Sequence, residues 1–257
     1  MAPCPLAVAN LLAPEDLLWA HRQADGAEWY YITAPIGKDF HGTVMLKGCG
    51  KAELWDAVTG KVSGLEITRD GAYATVPLDL ARAGNCFVVF RPESEKTPVQ
   101  QPVLAKSKEL KNWTLRFPAG WGTPEKPLKI KQLQAWKDLP IGPEAKAFSG
   151  TVVYETSFSL PKAGPVVLDL GRVEMIADVQ LNGEPVGVFW ASPYQLTVKG
   201  KAGRNTLRIA VTSTWFNRLA YDANLPEAER KTWTIAGPDA GSPLRDSGLL
   251  GPVRVLY

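Results

Sequence analysis

A chain of 257 residues, 45% hydrophobic and 21% charged, is long enough for one large β domain or two small ones, each able to bury its own core. Its 29 Lys and Arg are interspersed with 26 Asp and Glu, for a formal net charge of +3, which gives no reason to invoke nucleic acid or an anionic membrane as a partner. No apolar run approaches the ~20 residues needed to span a bilayer.

The opening, MAPCPLAVANLLAPEDLL, is apolar but has no basic leader and no obvious cleavage site. It reads less like a signal peptide than like an entry point into a longer chain. The first half then reads as short strands between turns: EWYYIT (28–33), TVML (43–46), AELW (52–55), AYATVPL (72–78) and CFVVF (86–90), all rich in β-branched and aromatic residues. WDAVTG (55–60) and the Asp70-Gly71 pair supply turns, the second a strong hairpin signal. RPESEKTPVQQPVLAKSKELKN (91–112) is polar, proline-containing and without sustained periodicity, as in a linker. The second half alternates more clearly. In VVYETSFSL (152–160), Val152, Tyr154, Thr156, Phe158 and Leu160 share one face, and in NTLRIAVTS (205–213) Leu207, Ile209 and Val211 do the same. PVVLDL (165–170), DVQL (178–181) and PVRVLY (252–257) complete the set, with Asn182-Gly183 closing a hairpin after DVQL. Helix is expected at most as a turn at PEAER (226–230). These patterns predict an all-β fold: residues 1–95 a small β-sandwich, 96–111 a linker, and 112–257 a second sandwich with jelly-roll-like strand spacing.

The motif search excludes more than it nominates. RDSGLLG (245–251) has Arg245 where a nucleophile elbow needs glycine, and KGCGK (47–51) leads into no helix. Cys4, Cys49 and Cys86 form no C-x-x-C pair, so no metal site is expected and free buried thiols are the favoured reading, with a Cys49–Cys86 bridge as the alternative. Glycoside hydrolysis needs two carboxylates roughly 5 to 10 Å apart, but nothing in the spacing of the acids singles out a pair. No cofactor motif is present, and no catalytic residue is assigned.

Aromatic and polar residues in the second half stand out instead. TSTWFNRLAYDANLPEAERKTW (212–233) is long for a loop in a compact domain, and it carries Trp215, Asn217, Arg218, Tyr221, Asp222 and Trp233. Indole faces stack on the apolar faces of pyranose rings, while Asn, Arg and Asp hydrogen-bond vicinal hydroxyls. The competing reading pairs Arg218 with Asp222, four residues on, and sets the tryptophans on the core. Trp190 and Tyr194, in FWASPY, face the same choice between a sugar-binding rim and packing.

Several ordered stretches carry a resemblance. FSGTVVYETSFSL (148–160), LDLGRVEMIADVQLNGEPVGVFWASPYQLTV (168–198), GRNTLRIAVTSTWFNRLAYD (203–222) and SGLLGPVRV (247–255) together resemble the C-terminal galactose-binding-like β-sandwich of glycoside hydrolases, those of family 106 α-L-rhamnosidases above all. The family 2 sugar-binding domain is a more distant relative. HRQADGAEWYYIT (21–33), AELWDAVTGKV (52–62) and VPLDLARAGNCFVVFR (76–91) resemble what precedes that sandwich. The family's Trp-x-Asn-Arg…Asp stretch falls on Trp215, Asn217, Arg218 and Asp222. The resemblance implies that the catalytic acids belong to a barrel upstream of residue 1, that the parent enzyme is secreted or periplasmic, and that a plant or bacterial polysaccharide or glycoside is the partner. Three readings follow: a carbohydrate-binding ancillary region lacking the barrel, a stand-alone glycosidase or lyase using Asp222, Asp239 or Asp246, or a structural interaction module.

Overall fold

The computed structural model describes residues 17–36, 38–93, 96 and 106–257. Cys4, the amino-terminal stretch and most of the expected linker fall outside the described residues. The protein is nearly all β, with antiparallel pairing throughout, and divides into two compact units, one from each half of the chain.

The first unit contains β1 (Leu18–Ala24), β2 (Ala27–Thr33), β3 (Phe40–Lys47), β4 (Lys51–Asp56), β5 (Val62–Leu65), β6 (Thr68–Asp70), β7 (Tyr73–Leu80) and β8 (Asn85–Arg91). They form a five-stranded sheet, β1-β2-β8-β4-β5, and a three-stranded sheet, β3-β7-β6. Alternation sets the core: Ala74, Val76, Leu78 and Leu80 of β7 join Tyr30, Ile32, Val44, Leu46, Val88 and Phe90. Asp56 shapes the β4–β5 turn by accepting the backbone N–H groups of Val58 (2.8 Å) and Thr59 (3.1 Å). Cys86 is a free thiol facing this core, where burial pushes its pKa up to about 12. Cys49 departs from the expectation of free buried thiols. It is disulfide-bonded and exposed in the β3–β4 turn, and since Cys86 is free the Cys49–Cys86 bridge does not form.

The second unit begins earlier than the expected boundary. β9 (Ser107–Glu109), inside the segment read as linker, pairs with β20 (Arg254–Leu256). All three residues of β9 are exposed, so this edge strand carries no apolar alternation by which to recognise it. The other strands are β10 (Trp113–Arg116), β11 (Leu128–Ile130), β12 (Thr151–Leu160), β13 (Gly164–Asp169), β14 (Arg172–Glu174), β15 (Ile176–Leu181), β16 (Glu184–Phe189), β17 (Gln195–Gly200), β18 (Gly203–Thr212) and β19 (Gly248–Gly251). A six-stranded sheet, β11-β10-β12-β18-β15-β16, and a four-stranded sheet, β17-β13-β20-β9, enclose one core, with β14-β19 as a small third sheet. β12 and β18 pair over ten residues and send Val152, Tyr154, Phe158, Leu160, Leu207, Ile209 and Val211 inward. The Tyr154 hydroxyl accepts the Trp136 indole N–H (2.5 Å) and the Leu249 amide (3.2 Å). Gly248 makes that approach possible, since a Cβ there would lie 2.3 Å from the indole nitrogen. Asn182 (φ 56°) and Gly183 (φ 88°) close the β15–β16 hairpin as a tight turn with two positive φ angles.

The long loop expected at 212–233 is not one. It contains α2 (Phe216–Ala223), and PEAER forms a 3₁₀ turn at Glu227–Glu229; the earlier α1 (Pro143–Lys146) is a single turn.

Candidate functional site

The side chains nominated between 215 and 222 sit on or beside α2, and most of them face inward. Asn217, Arg218, Ala220 and Asp222 are its buried residues. The Asn217 amide bridges the β19 approach: Nδ2 donates to the Arg245 carbonyl (2.8 Å), and Oδ1 accepts the Arg245 amide (2.8 Å). The amide of Arg218 donates to Ser149 Oγ at 3.0 Å.

The Arg218 guanidinium is 1% exposed and forked between two carboxylates: Nη2 to Asp222 Oδ1 at 2.5 Å and Nη1 to Glu144 Oε1 at 2.8 Å. Its central carbon lies 5.2 Å from the ring centroids of both Trp121 and Tyr221. Asp222 uses its second oxygen for the amides of Lys231 (3.1 Å) and Thr232 (2.7 Å) and the Thr232 hydroxyl (2.7 Å). Lys231 closes the group through Glu144 (2.7 Å) and the Gly120 carbonyl (3.1 Å). Two cations and two carboxylates thus form a neutral cluster that ties α2 to the segments around 120, 144 and 231, with the buried Arg218 Nε left without a hydrogen-bond acceptor.

Burial alone would raise the Asp222 pKa, but hydrogen bonds from Arg218 and Thr232 more than offset it and hold the carboxyl below its ordinary value. Hydrogen bonds from Lys231 and then Arg218 hold Glu144 low as well. Asp246 is kept low chiefly by its hydrogen bond from Lys137 (2.9 Å), with Arg172 at 2.8 Å adding to it. A general acid needs a raised pKa, so Asp222 and Asp246 have the wrong electrostatics for that role. Asp239 is exposed and lines a concavity of about 550 Å³ with Phe216 and Arg245. Among the described residues, no group of three or more His, Cys, Asp or Glu could hold a metal ion.

The structure therefore separates the sequence candidates. Asn217, Arg218 and Asp222 are framework, engaged inside the protein through every side-chain polar atom but the Arg218 Nε. Tyr194 is 8% exposed, and its hydroxyl donates to the Met175 carbonyl (2.8 Å), so it packs rather than forming a rim. Trp215, Trp233 and Trp190 remain open at 48%, 75% and 61% exposure. Trp215 packs edge-on against Trp121, with ring centroids 5.7 Å apart. Trp233 follows directly on Thr232, which is bonded to Asp222. Trp215 stands at the N-cap of α2, and the segment carrying Trp233 is tied to Asp222 in the helix's last turn through Thr232. Trp190 directly follows β16 and makes no ring contact with this group among the described residues. Sequence reasoning missed Trp121, Glu144 and Lys231, whose only signal was a tryptophan in the Gly/Pro-rich WGTPEKP.

No family model matches the chain. The chain is 33% identical over 188 residues to a curated protein from Formosa agariphila, provisionally named a β-glucuronidase, covering 61% of this chain and 16% of that protein. Among solved structures, a rhamnosidase from Novosphingobium sp. PP1Y is 31% identical with a TM-score of 0.77, covering 96% of this chain and 24% of that one. A family 2 β-galacturonidase from Eisenbergiella tayi is 17% identical with a TM-score of 0.40, covering 60% of this chain and 24% of that one. The chain is thus related to glycoside hydrolases, and it spans about a quarter of the rhamnosidase and about a sixth of the curated relative.

Proposed function

We propose that this chain is an ancillary, carbohydrate-binding region of an α-L-rhamnosidase-like glycoside hydrolase, its second unit a galactose-binding-like sandwich. The observation that carries this reading is the rigid mounting of the exposed Trp215 indole. Trp215 is braced by Trp121, whose ring lies against Arg218 and Lys231 of the Glu144–Arg218–Asp222–Lys231 cluster, and the exposed Trp233 follows Thr232, which bonds Asp222 of the same cluster. An indole fixed as Trp215 is loses little side-chain entropy when a pyranose stacks on it, and Trp233 offers a second exposed indole on a segment bonded to the same helix.

Affinity gel electrophoresis against neutral rhamnose-containing polysaccharides tests the reading. The wild type is retarded, while Trp215→Ala and Trp233→Ala each weaken retention about tenfold and leave the fold intact. Retention equal to wild type in the double variant would sink it. Ile235, 93% exposed two residues beyond Trp233, favours a second reading in which this segment meets another protein surface. Retention of all glycan binding in Trp233→Ala/Ile235→Ala, with loss of association to a separately expressed catalytic barrel, would select that reading for the segment.

A further inference from the structure

The outer face of the six-stranded sheet has a charge pattern that the aromatic surface does not use. Cross-strand register places Thr114, Glu155, Arg208 and Gln180 in one row across β10, β12, β18 and β15. Arg208 therefore lies directly opposite a carboxylate, yet that carboxylate is engaged elsewhere: Glu155 Oε2 accepts from Arg116 Nε at 3.0 Å. Neither Arg208 nor Arg204, on the same face of β18, has an ion pair among the described residues. Lys111 adds a third cation, pinned in place where the Thr156 hydroxyl meets the Lys111 (3.1 Å) and Asn112 (3.3 Å) carbonyls, and its contact with Glu109 is long at 3.9 Å. Together these residues line an open concavity of about 560 Å³.

Two features define what fits. Arg204 and Arg208 are four residues apart on one strand face, so their cationic ends are spaced along the groove by about 13 Å. Thr206 lies between them, with Ser157 opposite it and Gln180 across from Arg208. Hydroxyls and an amide between spaced guanidinium groups match a chain of hydroxylated rings that bears a carboxylate at intervals, rather than one small anion. We propose that this sheet face is a second saccharide-binding groove, specific for an oligosaccharide containing uronic acid residues. The proposal rests on the carbohydrate reading above but uses different residues and a different interaction.

Titration with oligogalacturonate, and with the same oligomer fully methyl-esterified, isolates the carboxylate. Binding of the free acid, weakened by salt and absent for the ester, is expected. Arg208→Ala and Arg204→Ala each weaken it about tenfold. Glu155→Ala, by removing the only carboxylate in the lining, tightens it a few-fold. Failure of oligogalacturonate to bind, equal binding of the ester, or no change in Arg208→Ala and Arg204→Ala overturns the groove. So does equal affinity for dextran sulfate or single-stranded DNA, which would mark a general polyanion surface. The two readings fail separately: Trp215→Ala/Trp233→Ala leaves uronate binding unchanged, and Arg208→Ala leaves neutral-glycan retention unchanged.

Discussion

Arg208, in the middle of β18, and Arg218, on α2, are separated by ten residues of chain and by a large difference in surroundings. Arg218 is fully buried, forked between Glu144 and Asp222, and sandwiched by Trp121 and Tyr221. Arg208 lies on an open sheet face, and its facing carboxylate is taken by Arg116. The same side chain is thus a structural tie in one place and an available binding group in the other. What separates them is the carboxylate inventory within reach, which the three-dimensional fold sets rather than the neighbouring sequence.

Removing the buried partner tests the first half of that contrast and has the largest expected effect. Arg218→Ala takes the cation from Asp222 Oδ1, leaving that buried carboxylate only its Lys231 and Thr232 hydrogen bonds and Glu144 only Lys231, and should cost about 3–5 kcal/mol in stability, read as a lower urea midpoint. Acid should act on the same cluster. Asp222 and Glu144 have folded pKa values below their ordinary 3.8 and 4.5, so the unfolded chain takes up protons first as pH falls. Their stabilisation is present above the ordinary values and is lost as pH falls through the folded ones. In Arg218→Ala this part of the acid transition should flatten, which parallel urea melts between pH 3 and pH 7 would show. Lys231→Ala removes a half-exposed partner and should cost only about 0.5–1 kcal/mol.

How much of this could be read beforehand follows from where polarity faces. Strands whose apolar residues point to the core were legible, as with Val152, Tyr154, Phe158 and Leu160 against Leu207, Ile209 and Val211. The hairpin at Asn182-Gly183 was legible from its turn chemistry. α2 was not, because its pattern is inverted: Asn217, Arg218 and Asp222 are the buried face, while Trp215 at its N-cap is exposed. The helical spacing of apolar residues is present at Phe216, Leu219, Ala220 and Ala223, but it points away from the usual answer, because the polar side is the one that is buried. The Arg218–Asp222 pair could be anticipated from its four-residue spacing, but Glu144 lies 74 positions away from Arg218 and only the fold brings it in. The sheet-face groove was equally hidden, since it depends on register between strands and on Arg116 drawing Glu155 away.

The smallest expected effect on stability is also the most discriminating. Arg208→Ala should change stability by no more than about 0.5 kcal/mol, because the side chain is only partly buried and has no hydrogen-bond or ion-pair partner among the described residues to leave behind. Arg116→Ala sharpens this further. It frees Glu155, which then faces Arg208 directly and can pair with it across β12 and β18. Stability should again move by less than about 1 kcal/mol, while oligogalacturonate binding falls about as far as in Arg208→Ala. Combining Arg116→Ala with Glu155→Ala should restore binding, since no carboxylate of the groove lining then remains to claim the guanidinium. A double variant as weak as Arg116→Ala alone would mean that Arg116 contacts the saccharide itself, and that the sequestering role assigned to it is wrong.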